Sequence, residues 1–208
     1  MLIVDTIIQL ATNELFTEEA PRKTNRTRYG EDYGINGVSW CVIFIWWLFM
    51  TAKRSRLFYG GKRCASCSQL YEWAQQTGQT VPVSEAQRGD ILFWNFNGGQ
   101  SLEHCGIMTM RGIDGYIHCI EGNTPNADKT NDGVFEKLRS PRNLVAVWRP
   151  KYDNARDFDG RWSTKAIEET LADGIMTGYP DGSFQPDRAV TREELAQFYT
   201  NLKKAWRT

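Results

Sequence analysis

The chain has 208 residues, 41% hydrophobic and 12% aromatic, which allows one well-packed domain and a small second one. Its 25 basic residues balance its 25 acidic ones, so a broad electrostatic grip on nucleic acid or on an anionic membrane is excluded. The 5 cysteines, at 41, 64, 67, 105 and 119, are an odd number without framework spacing, and point to a thiol-dependent protein made in a reducing compartment.

The first stretch, Met1 to Ala11, lacks a basic n-region and carries Asp5 early, so a secretory signal is not expected. Its apolar residues at 3, 4, 7, 8 and 11 fit an amphipathic helix. Glu18 to Asp32 is polar and basic, holds Pro21 and Gly30, and reads as loop. The glycine-rich stretch Tyr29 to Trp40 then runs into Cys41 and the apolar run Val42 to Met50, a buried helix expected to end near Lys53. Tyr33 to Ala52 holds no charge, but its apolar part is only about ten residues, too short to span a bilayer. Cys41 falls in the first helical turn, where unpaired N–H groups and the positive end of the dipole favour a thiolate. A second reading stays open on this stretch alone, that of a small buried hydrophobe. Phe58 to Gly61 is a turn, and Ser66 to Gln76 a second helix stopped by Gly78.

From Gly89 the pattern becomes that of strands. Asp90–Asn95, His104–Met110, Tyr116–Glu121, Gly133–Leu138 and Leu144–Trp148 are short runs joined by hairpin-type turns. Helices first and an antiparallel sheet after give an α+β domain over 1–150. A polar linker follows over 151–156, and a second, smaller helical module over 157–208. There Trp162, Ala166, Ile167 and Leu171 mark one amphipathic helix closed by Gly174. Gly178 to Asp187 is turn-rich, and Thr191-Arg-Glu-Glu194 is a capping box opening a helix with Leu195, Phe198, Tyr199 and Leu202 on one face. Two helices and a loop make a marginal core alone.

The chain has 2 histidines. His104 starts a strand after a glycine-rich turn, at a sheet edge. His118 lies mid-strand, and alternation puts Cys119, Glu121 and Asn123 on the opposite face from it. A cysteine nucleophile needs a base and a third group to orient that base. Cys41, His104 and Glu121, with Asn123 beside it, supply those roles in the order helix, strand, next strand.

Trp40-Cys41 before an aromatic helix, Gly89-Asp90-Ile-Leu-Phe-Trp, His104-Cys-Gly-Ile-Met and Ile120-Glu-Gly-Asn-Thr124 together resemble the CHAP family of cysteine, histidine-dependent amidohydrolases and peptidases. The resemblance covers about residues 1–150 and departs at Cys105, where valine is expected. It implies a papain-like fold and cleavage of an amide bond in peptidoglycan without a cofactor. It makes Cys41 the nucleophile, His104 the base and then acid, Glu121 the orienter of His104, and Asn123 a further polar group of the site. An endopeptidase of endolysin type is expected, with N-acetylmuramoyl-L-alanine amidase or a non-catalytic wall-binding or S-layer-associated protein as alternatives.

Phe158-Asp-Gly-Arg-Trp162, Gly174 to Asp187 and Val190-Thr-Arg-Glu-Glu194 resemble an S-layer homology module, with Glu193 in place of the motif's alanine. Such modules bind secondary cell-wall polymers, which makes Trp162 and Arg192 the candidate contacts, arginine suiting an acidic saccharide. Trp162 as plain core is the other reading. The family usually groups three modules and this chain has one, so association of chains into a homo-oligomer is an expectation.

No metal is expected. Cys64-Ala-Ser-Cys67 lacks a second close pair and reads as packing beside the cleft. Asp128 to Gly133 imitates the start of an EF-hand but meets Arg139 where a bidentate glutamate belongs. Glu31 and Asp32 do not make the paired pattern of a calcium loop. The start of the sequence suggests a protein of the host cytoplasm, of phage-endolysin type, released to act at the bacterial wall.

Overall fold

A computed structural model describes residues 2–99, 101–152, 156–159, 161–179 and 183–206. The chain forms two compact units, Met1–Asp153 and Asn154–Thr208. The expected linker falls in part, and the tip of the Gly178–Asp187 loop wholly, on residues outside the described ones.

In the first unit the helices are α1 (Ile3–Asn13), α2 (Arg28–Tyr33), α3 (Cys41–Thr51) and α4 (Cys67–Gln76). The strands are β1 (Ile91–Trp94), β2 (His104–Arg111), β3 (Ile117–Pro125), β4 (Asp132–Arg139) and β5 (Leu144–Trp148). They form one antiparallel sheet in the order β4-β3-β2-β1-β5. The expected α+β class holds.

The central helix is α3. Cys41 to Trp46, Leu48 and Phe49 are all buried, as an apolar run without a polar stripe requires. It packs across β2 and β3, so its N-terminal residue comes to lie against the sheet. Gly122 on β3 permits that approach. A Cβ there would sit 2.7 Å from Phe44 Cβ and 2.7 Å from the Trp40 ring. Phe49 stacks on Trp148, and Phe58 packs edge-on against the same indole, tying α3 to β5. The start of β1 is fixed by Asp90, whose buried carboxylate accepts from Arg149 Nε at 3.0 Å and Nη2 at 2.9 Å.

Residues 18–32 are not simply loop. Thr27 caps a short helix by accepting from Gly30 N, Gly34 closes it at φ 86°, and Tyr29 and Tyr33 bury one face. The i, i+4 spacing of the two tyrosines outweighs the polar composition around them. Hydrogen bonds from Phe16 N to Val134 O, Val134 N to Thr17 O and Glu19 N to Asp132 O pin the preceding segment along β4.

The second unit holds α5 (Thr164–Ala172) and α6 (Arg192–Ala205). Thr191 and Glu194 make the expected capping box of α6. Trp162 lies in the turn before α5, not on its apolar face. Of the expected α6 face, Leu195 and Tyr199 are exposed. The Asp157 carboxylate accepts from Phe184 N at 2.8 Å, Phe158 packs on Phe184, and Arg161 pairs with Asp187. Among the described residues no helix is long and apolar enough to cross a membrane.

Candidate active site

Cys41 is the first residue of α3, where the N–H groups of the opening turn have no i−4 carbonyl to bond. The residue before it is held from three sides. Trp40 N donates to Asn123 Oδ1 at 3.0 Å, its indole Nε1 donates to Glu19 Oε1 at 2.9 Å, and its ring stacks on Tyr29. Tyr29 is fixed in turn by its hydroxyl on Glu14 Oε2 at 2.6 Å.

His104 opens β2 opposite Trp94. Its Nε2 lies 2.9 Å from Glu121 Oε2, and its ring stands close enough to Cys41 to favour the thiolate there. Glu121 is wholly buried and grips Arg139, which donates through Nε at 2.8 Å and Nη2 at 2.5 Å. Arg139 lies over the Phe96 ring at 4.8 Å, and Phe96 stands beside His104. Glu121 reaches over β2 because residue 106 is glycine. A Cβ there would sit 2.6 Å from Glu121 Cγ. The result is a chain of contacts Cys41–His104–Glu121–Arg139.

Asn123 does not join Glu121 at His104. The pairing of β3 with β4 shifts between Glu121 and Thr124, and Asn123 adopts φ 57°. That bulge breaks the expected alternation and turns the side chain to Trp40 N and to Asn25 Oδ1. Asn123 therefore positions the approach to α3. His118 faces elsewhere, near Glu136.

The electrostatics favour an ion pair. Hydrogen bonds from Cys105, the largest influence, and from Cys67 outweigh burial and, with His104, hold the Cys41 thiol well below its ordinary range. Burial pushes His104 down, but the Cys41 and Glu121 contacts raise it to about 10. Burial likewise opposes ionisation of Glu121, yet Arg139 and His104 bring it to about 2. The favoured state at neutral pH is a thiolate beside an imidazolium on a carboxylate.

Three thiols meet here, a grouping that their sequence spacing does not reveal. The Sγ atoms of Cys41, Cys67 and Cys105 all lie within 4.8 Å of one another, Cys41 and Cys67 at 4.0 Å. Burial holds Cys105 protonated. Cys67, despite its bond to Cys105, is pushed up by Cys41 and by burial. The Cys64–Cys67 pair is split, for Cys64 donates to Ser66 O at 3.3 Å. Cys119 donates to Glu121 Oε1 at 3.1 Å. A cavity of about 540 Å³ is lined by Ser68, Tyr71 and Glu72 of α4 with Leu102 and Val145. Ser68 follows Cys67, and Leu102 precedes His104 by two residues.

Arg139, Cys67 and Cys105 are the members of this cluster that motif spacing left without a role. Only the sheet pairing and the packing of α4 bring them in.

In the second unit Trp162 is 98% exposed, which rules out a core role. Arg192 is exposed at the first position of α6.

The CHAP domain profile matches residues 33–123, and the S-layer homology domain profile matches 156–196. Among curated proteins the chain is similar to Cell surface glycoprotein 1 of Acetivibrio thermocellus, 41% identical over 49 residues, 22% of this chain and 2% of that protein. It is also similar to the Cellulosome-anchoring protein of the same organism, 42% identical over 38 residues, 18% of this chain and 8% of that protein. The chain thus spans a small fraction of the curated relatives it matches. These matches overturn the expected host-cytoplasmic location with release at lysis. The finding that overturns it is the S-layer homology match over 156–196, a region shared with relatives named for the cell surface and for anchoring.

Proposed function

Because the chain joins a CHAP domain to an S-layer homology domain, we propose that it is a surface-anchored peptidoglycan hydrolase that cuts an amide bond through a cysteine nucleophile. The observation that carries this reading is the contact chain from Cys41 through His104 and Glu121 to Arg139. The Cys41 thiolate attacks the amide carbonyl, and N–H groups at the start of α3 are the candidate donors to the oxyanion. The His104 imidazolium protonates the leaving amine, and the acyl group remains on sulfur as a thioester. Water, losing its proton to His104, then attacks the thioester, frees the acid and restores the thiolate–imidazolium pair. Glu121 orients His104 throughout, and Asn123 fixes Trp40 and with it the nucleophile.

An endopeptidase is the finer reading. The cavity between α4 and Val145 is the candidate seat for the peptide that flanks the scissile bond. In the second unit, Trp162 supplies an exposed ring for a sugar face and Arg192 a fork for an acidic group of a wall polymer. The boundaries proposed are a catalytic domain over 1–150 and a wall-binding module over 157–208. Exposed Leu195 and Tyr199 on α6 favour association of modules.

The test is turbidity loss of purified cell walls, wild type beside Cys41→Ala, with released fragments analysed by mass. Clearing by the wild type alone, with new peptide termini, supports the endopeptidase. Release of intact stems from muramic acid would make it an amidase. Walls bound but cleared by neither protein would end the catalytic reading.

A further inference from the structure

Cys67 and Cys105 have no part in the proposed hydrolysis beyond their hydrogen bonds to Cys41, yet both are buried against it. Three sulfurs within 4.8 Å, with an imidazole on one of them, are a recognisable donor set for a soft, tetrahedral metal ion.

We propose that Cys41, Cys67 and Cys105, with His104 at the fourth position, form a zinc-binding site superimposed on the nucleophile, so that Zn²⁺ holds the hydrolase in a latent state. This rests on the reading of Cys41 as nucleophile only for the latency, not for the binding.

The geometry is close to what the ion requires. A Zn–S bond of about 2.3 Å in a tetrahedron separates neighbouring sulfurs by roughly 3.8 Å. The Cys41 and Cys67 sulfurs stand 4.0 Å apart, and the widest separation in the trio is under 4.8 Å. Shifts of a few tenths of an ångström to about one bring the three sulfurs onto three corners of the polyhedron, while His104, which lies outside the group of mutually close donors, must turn toward Cys67 and Cys105 to take the fourth. The donors come from three separate elements, the starts of α3 and α4 and the second residue of β2. The site is therefore built by the tertiary fold and not by the Cys64–Cys67 pair.

The candidate fourth ligand has the carboxylate partner that metal-bound histidines commonly have. His104 gives Nε2 to the Glu121 carboxylate, which leaves its other nitrogen for the ion, and Arg139 fixes that carboxylate in turn. The protons balance simply. Binding one Zn²⁺ displaces whatever protons the three thiols and the imidazole carry on their ligating atoms, and chelation returns them. No oxidant or reductant enters. The bound state removes both the nucleophile and its acid from catalysis. It also shields three thiols from oxidation, which a protein at a cell surface needs more than one in a reducing compartment.

The experiment uses the full chain, reduced and freed of metal with a chelator, then titrated with Co²⁺ and back-titrated with Zn²⁺. One Co²⁺ per chain with a sulfur-to-cobalt charge-transfer band and tetrahedral d–d bands, bleached by Zn²⁺, is expected. Cys67→Ala and Cys67→Ser should each weaken Zn²⁺ binding at least about tenfold and raise the Zn²⁺ needed to halve lysis by a similar factor. Circular dichroism checks that both variants are folded. Binding without a thiolate band, or unchanged affinity in the folded Cys67 variants, overturns the proposal. The two readings fail separately. If metal-free wild type clears walls, Cys41→Ala does not, and Co²⁺ shows no thiolate band, hydrolysis stands and the metal site falls. If the band appears but metal-free wild type clears nothing, the metal site stands and the hydrolase reading falls, and with it the latency.

Discussion

Replacing Arg139 by methionine isolates the residue that holds the Glu121 carboxylate in its buried place. Methionine keeps much of the stem's bulk and removes the two donors at 2.8 and 2.5 Å. Glu121 is ordinarily near 4.5 and is brought to about 2 in the folded protein by Arg139 and His104 against burial. That shift corresponds to about 3 kcal/mol of stabilisation of the ionised form at pH 7. Because the folded value lies below the unfolded one, this stabilisation is complete above about pH 4.5 and is lost as pH falls towards 2. Breaking a buried pair from one side typically costs about 3–5 kcal/mol, so the variant should be roughly 3 kcal/mol less stable at neutral pH. At pH 3 the wild type has already given up roughly 2 kcal/mol, while the variant's neutral carboxyl has little left to lose, so the gap should shrink to about 1. Urea unfolding at pH 7 and pH 3 measures this. Tryptophan fluorescence is the probe, reporting chiefly on the first unit through residues such as Trp40, Trp94 and Trp148. Arg139→Lys keeps the charge without the fork and should recover only part of the loss. A gap that is the same at both pH values, or below about 1 kcal/mol at pH 7, would refute the assignment of Arg139 as the clamp of Glu121.

His104 is raised from 6.5 to about 10, so the ion pair persists to high pH. Its stabilisation is full below about pH 6.5 and is lost as pH rises through 10. Wall lysis should therefore hold through neutral pH and fall near pH 10, and iodoacetamide should alkylate metal-free Cys41 well below pH 9; an alkaline limb at pH 7 would sink the ion-pair assignment. Gly106→Ala places a methyl 2.6 Å from Glu121 Cγ and 3.0 Å from Ile120 O, and should cost about 1–3 kcal/mol in thermal or urea unfolding while lowering lysis. An unchanged stability would show that Glu121 does not need that space. Trp162→Ala should leave the melting temperature unmoved, since the ring is fully out in solvent, and should reduce pelleting of the chain with isolated walls; equal pelleting removes Trp162 from the binding surface. Sedimentation of the full chain with and without wall polymer tests association of modules, which a monomer under both conditions would exclude.

The catalytic unit was largely legible because its signals are local. The apolar run after Cys41 has no polar stripe, so it had to be buried, and the strand runs after Gly89 sit between strong turn residues. What remained hidden depends on register. Asn123 shares the alternation of Glu121 on paper, and only the bulge with its positive φ turns it to Trp40. Arg139 sits at the end of an ordinary strand, and nothing in Glu136-Lys-Leu-Arg139 announces a partner 18 residues away. Helix α2 was missed because two buried tyrosines in a polar stretch are a weak pattern until Thr27 and Gly34 are seen as its caps. Trp162 was ambiguous for the opposite reason, since one aromatic before a short helix fits core and surface alike.

The thiol cluster shows how one arrangement serves two states. In the metal-free protein, Cys67 and Cys105 stay protonated and act as donors to the Cys41 thiolate, which burial alone would disfavour. The same clustering leaves the three sulfurs within 4.8 Å of one another, close to the separations that a tetrahedral ion spans. A valine at 105 would keep the packing and the nucleophile but remove a donor and a ligand together. Cys105→Val should therefore raise the pH at which Cys41 alkylates and abolish the thiolate-cobalt band in one step. If the substitution shifted alkylation yet left the cobalt spectrum intact, Cys105 would serve the thiolate alone and the two states would not share their ligands.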